Sequence, residues 1–147
     1  MRRVSIIRPG TRSRIEETLR DYPNLDKYIS ERYKELRHPY RESDENIGGG
    51  KSSKISKPQE QMIITIEADK RLTMLEREKK AIDKCLIMAS DDTKTIISEL
   101  YFRKHPYYKI DGLILNGMIH CSRAQAFRLK HEFLSNLASE LGLLDPH

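Results

Sequence analysis

The sequence predicts an all-α protein: an N-terminal helical hairpin (residues 1–40), a Gly-rich linker (41–58), then a long helix and a helix-turn-helix (59–147). Three observations point there. Apolar residues recur at steps of three and four in successive segments, the spacing of one helix face. The composition is lean, with 33% charged residues, 37% hydrophobic residues and no Trp, which suits elongated helices better than a thick sandwich. The last third holds an apolar run from Asp111 to Ile119, then His120-Cys121, then Ser122 opening a basic amphipathic segment through Leu141. Two helices joined by a tight turn, the second begun by a capping hydroxyl, is the form of a helix-turn-helix.

The chain of 147 residues can build one real core, with at most a small outlying element. No apolar run approaches the roughly 18 residues a membrane span needs, and the basic N-terminus lacks a secretory apolar stretch. A cytoplasmic location is expected, with no membrane partner. The net charge of +5 favours a polyanionic partner. Cys85 and Cys121 sit in apolar helical contexts and read as free thiols.

Residues 1–12 carry Arg2, Arg3, Arg8 and Arg12 with no acid, either a phosphate-seeking arm or a solvated tail. A short helix is expected from Arg12 to Arg20, with Ile15 and Leu19 four apart. Tyr22-Pro23 interrupts it, because proline disfavours helical geometry at the preceding residue. A second helix runs from about Asn24, its cap, to Leu36, with Leu25, Tyr28, Ile29, Tyr33 and Leu36 on one face, and His38-Pro39 ends it. Such a hairpin has one apolar stripe that must dock on something.

The linker contains Gly48-Gly49-Gly50 among Ser and Lys, a composition that implies mobility. Gly50-Lys51-Ser52 resembles the end of a phosphate-binding loop. However, the first glycine of that motif would fall on Glu45, and no apolar strand precedes it.

One long helix is expected from about Pro58 to Ala89. Ala68, Leu75, Ile82 and Ala89 repeat every seven residues, and Leu72, Lys79 and Leu86 interleave with them. That seam either packs inside the chain or joins copies of it into a homo-oligomer. Glu76 should face Lys80 on the wet side. The helix acids form no paired constellation for acid–base or metal chemistry, so no catalytic residue, metal or cofactor is called for. Ser90 is a cap, with Asp91 and Asp92 in the first turn of a helix reaching about Arg103, and Pro106 closes it.

In the motif, the first helix is expected from about Lys109 to Met118, weakened by Gly112 and Gly117 at roughly 1 kcal/mol each relative to Ala. Ser122 caps the second. Projection at about 100° per residue puts Ala126, Leu129, Phe133 and Leu137 inward. Ala124, Arg128, His131 and Ser135 face outward, flanked by Arg123, Gln125 and Phe127. Double-stranded DNA is the expected partner. Arg123 and Arg128 suit guanine, Gln125 suits adenine, and Ala124 or Phe127 suits a thymine methyl. His131 lies on the same wet face. Lys104, Lys109 and Lys130 suit phosphates. Between Tyr101 and His131 stand six Lys or Arg against one acid, Asp111, so the basic bias is concentrated at the motif. Phe127, Leu134 and Leu141 form a stripe beside the inward face. His120 and His131 lack metal-ligand partners at the right spacing.

Several segments in order carry a resemblance to a known family: Asp21-Tyr22-Pro23, Asp44-Glu45-Asn46-Ile47-Gly48-Gly49-Gly50, Leu100-Tyr101-Phe102, Ser122 with Arg128-Leu129-Lys130, and Leu137-Ala138-Ser139-Glu140-Leu141-Gly142. The chain resembles the RinA-type and ArpU-like late transcriptional regulators of phages of low-GC Gram-positive bacteria. The resemblance implies a non-enzymatic activator that binds promoter DNA ahead of packaging and structural genes. The motif is also similar to sigma factor region 4, which implies host RNA polymerase as a second partner. A small terminase-like DNA-packaging protein is the rival reading. A nuclease or recombinase accessory enzyme would need a carboxylate cluster that the sequence lacks.

Overall fold

The computed structural model describes residues 7–37 and 69–143, and every regular element among them is helical. In order these are α1 (Pro9–Asp21), a 3₁₀ turn (Tyr22–Asn24), α2 (Leu25–Arg37), α3 (Lys70–Met88), α4 (Asp91–Ile97), a π-helical turn (Ser98–Phe102), α5 (Ile110–Leu115) and α6 (Arg123–Glu140). Arg2 and Arg3, the linker at 41–58 and the front of the expected long helix lie outside the described residues. The described chain divides into two compact units: residues up to Asn24 together with those from Arg77 onward, and Leu25 to Glu76.

In the second unit α2 meets the first turns of α3. Leu25 and Leu72 are buried, and Tyr28, Ile29, Tyr33 and Leu36 are half-buried along the expected stripe. Arg32 clasps Asp69 with two bonds, Nε to Oδ1 at 3.2 Å and Nη2 to Oδ2 at 2.6 Å. Asp69 Oδ1 also accepts from the Leu72 amide at 2.7 Å, so Asp69 begins α3 at Lys70, later than the start near Pro58 that periodicity suggests. Those bonds hold the Asp69 carboxyl below its usual range, the Arg32 guanidinium contributing most. Glu76 accepts from the Tyr33 hydroxyl at 2.9 Å, where sequence spacing suggested Lys80 as its partner.

The first unit is built on α6. Phe133, Leu134, Leu137 and Ala138 are buried, and α6 packs on α1, α4 and α5. From α1, which starts with Pro9 in the first turn where a missing N–H is harmless, Ile15 and Leu19 are fully buried. Glu16 accepts from the Tyr101 hydroxyl at 2.7 Å, and the Tyr22 hydroxyl bonds Asp83 on α3. From α3, Ala81, Ile82 and Cys85 are buried. Lys84 pairs with Glu140 at 2.9 Å, and Arg77 donates to the Leu141 carbonyl at 3.0 Å. The latter satisfies an orphan carbonyl at a helix C-terminus and puts a cation where the dipole favours one. Cys85 and Cys121 are both free thiols, and burial pushes Cys85 up to about 11. Among the described residues no helix is long and apolar enough to cross a membrane.

Candidate nucleic-acid interface

Helices α4, α5 and α6 share a small core: Ile96, Ile110, Leu113, Ile119 and Ala126, with Leu100, Tyr108, Ile114, Met118, Cys121, Phe127 and Leu129 around it. The starts of α4 and α6 are capped as the sequence suggests. Ser90 Oγ accepts from Thr93 N at 3.2 Å, and Ser122 Oγ accepts from Gln125 N at 3.1 Å, both caps extended at ψ near 160°.

The first motif helix is shorter than expected, ending at Leu115 instead of Met118. The reason is Gly117. Its φ of 68° is a left-handed conformation, with its N–H bonded to the Ile114 carbonyl and the Met118 N–H to the Leu113 carbonyl. This is the Schellman pattern, so Gly117 stops α5 and sets the turn where propensity alone counted it as a weak interior residue. Gly142 at φ 69° ends α6 by the same pattern, through Ser139 and Ala138. Gly112 is interior to α5, and a Cβ there would meet the Tyr108 ring at 3.0 Å. The turn is pinned from a third side, because Asp92 Oδ1 accepts from the His120 amide at 3.2 Å. In the sequence Asp92 shows only a first-turn role. A contact between residues 28 apart leaves no local signal.

On α6 the exposed face begins with Arg123, Ala124 and Arg128 and continues to Glu132 and Asn136. Arg123 is two-thirds exposed, with Nε donating to Asp111 Oδ1 at 2.8 Å and its guanidinium 4.9 Å from the Phe127 ring centre. Arg128 Nη1 donates to Gln125 Oε1 at 3.0 Å. Gln125 is half-buried, and its oxygen is engaged.

Phe127 is half-buried against the motif core, its ring beneath Lys130 as well as Arg123 and 6.5 Å from the His131 ring. Lys130 and His131 lie on the flank that α1 packs against, near Arg12 and Glu16. Desolvation, then Arg12, holds both below their ordinary ranges. Ser135, expected outward, is buried, and Leu129, expected inward, is half-buried. The covered arc of α6 is wider than an isolated helix projection allows because α1 joins α4 and α5 against it. Lys104 and Lys109 are exposed ahead of α5. No hydrogen bond or ion pair among the described residues joins them to the arginine cluster.

No group of three or more His, Cys, Asp or Glu among the described residues is placed to hold a metal ion. The chain is 31% identical over 137 residues to the transcriptional activator rinA of Staphylococcus phage phi11, covering 90% of this chain and 91% of that protein. No solved structure matches it. A family model described as a protein of unknown function, DUF722, matches residues 12–139. With both matches running through nearly all of the described helices, the chain belongs to this RinA-like family.

Proposed function

We propose that the protein is a sequence-specific DNA-binding transcriptional activator of late phage genes, not an enzyme, working in the cytoplasm of the bacterial host. One observation carries the reading. A short helix, a glycine-stopped turn and a serine-capped helix present Arg123 and Arg128 to solvent on the first two turns of α6. That is the end at which recognition helices enter the major groove. The name of the phi11 relative supports activation as the outcome of binding.

In this reading Arg123, Ala124, Gln125, Phe127, Arg128 and His131 form the base-reading set. Lys104, Lys109 and Lys130 serve the phosphates, whose contribution falls with salt. Host RNA polymerase is the second partner, and α3 joins copies of the chain. Footprinting the full chain on late-promoter DNA, with transcription by host polymerase measured in parallel, tests the proposal. Protection of a discrete promoter site together with increased transcript is expected. A ring-sized oligomer with no promoter activation would favour the packaging reading instead.

A further inference from the structure

The way Arg123 is held defines which of its atoms remain for DNA, and the following inference rests on the DNA-reading role above. Asp111 stands near the start of α5 and Arg123 is the first residue of α6, so their pair bridges the motif across its turn. Its members are 66% and 70% exposed, and such surface pairs contribute little to stability. It does, however, fix the arginine. One side of the guanidinium is tied through Nε to a carboxylate, and the Phe127 ring supports it. Of the five guanidinium N–H groups, only the one on Nε is used among the described residues. Nη1 and Nη2 have no acceptor among the described residues, and together they form the end-on fork that bridges two adjacent acceptors.

The major-groove edge of guanine offers such a pair, O6 and N7. Adenine replaces O6 with an amino donor. A phosphate also offers two oxygens, but it carries a charge that the neighbouring Asp111 repels. Arg128 differs, because its brace is the neutral oxygen of Gln125.

We propose that Asp111 is a positioning residue that holds Arg123 end-on, so that its fork reads guanine in preference to phosphate. Ordering the side chain before contact removes part of the entropy cost of forming a bidentate bond.

The test uses the full chain and a pool of random duplex DNA, from which wild type, Asp111→Ala, Asp111→Asn and Arg123→Ala each select a preferred sequence. Wild type is expected to select guanine at one position that Arg123→Ala leaves open. Asp111→Ala is expected to lower the ratio of selected to scrambled duplex affinity about tenfold, the scale of one bidentate pair. It should strengthen binding to scrambled duplex, since an anion leaves the interface, with an unchanged melting temperature. Asp111→Asn, which keeps an acceptor oxygen without the charge, should fall between. In an Arg123→Ala background, Asp111→Ala should leave the remaining ratio unchanged, and 7-deazaguanine at the selected position should reproduce the loss in wild type.

Asp111→Ala retaining the guanine preference that Arg123→Ala loses overturns the positioning role but spares the DNA reading. Equal effects of Asp111→Ala with and without Arg123 overturn it as well. If 7-deazaguanine binds like guanine and Arg123→Ala only flattens the salt dependence, Arg123 meets phosphate and the proposal fails. Full preference retained by Arg123→Ala would instead sink the base-reading assignment of this face.

Discussion

The two halves of α6 do different work within one continuous helix. Its first two turns carry Arg123, Ala124 and Arg128 in solvent, braced by Asp111 and Gln125. Its last two turns bury Phe133, Leu134, Ser135, Leu137 and Ala138, and its end is fastened by Gly142 and Arg77. Under the proposed function, the contrast separates what binds from what holds. The exposed side chains of the front half can change with little effect on folding, whereas the back half fixes the angle at which the front is presented. Substitutions in the two halves should therefore fail in different assays.

The largest effect is expected in the anchoring half. Leu137 is fully buried, and Leu137→Ala should lower unfolding free energy by about 2–5 kcal/mol in urea denaturation. The reading half should respond only in binding. Arg128→Ala and Arg123→Ala should each cost roughly 1–3 kcal/mol of specific affinity by gel shift, with the denaturation midpoint unmoved. At the junction, Ser122→Ala removes the bond to the Gln125 amide and should cost about 1 kcal/mol of stability.

The smallest effect concerns pH. His131 takes up a proton less readily in the folded chain than in the unfolded one, first through burial and then through Arg12 and Lys130. Its contribution to stability is intact above the ordinary imidazole value of about 6.5 and is lost as pH falls below it. His131→Gln should flatten the stability profile between about pH 7 and 5, and a slope unchanged by the substitution would contradict this.

The features that could be read in the sequence are the local ones. A hydroxyl ahead of an amphipathic run marked both Ser90 and Ser122, and Tyr22-Pro23 marked the break after α1, because capping and proline sterics act within four residues. Asn116-Gly117 after the apolar run holds the signal that stops α5, since glycine there supplies the left-handed conformation, which helix propensity alone does not express. Asp69 ahead of Lys70 likewise held the start of α3.

What periodicity does not contain is docking. A projection of α6 alone puts Ser135 in water, because nothing in residues 122–141 says that α1, over a hundred residues earlier, covers that flank. The same reason hides the Asp111 and Asp92 clasps, which join helix to helix across 12 and 28 residues. Spacing identifies the arginines, and only packing shows how each of them is braced.

The separation of reading from anchoring is tested most directly by the full-length Arg123→Ala/Arg128→Ala double variant, with late-promoter duplex, scrambled duplex and thermal unfolding measured on one preparation. The account predicts an unchanged melting temperature and promoter affinity reduced to that for scrambled DNA. A double variant that folds normally and still prefers the promoter as wild type does would contradict it.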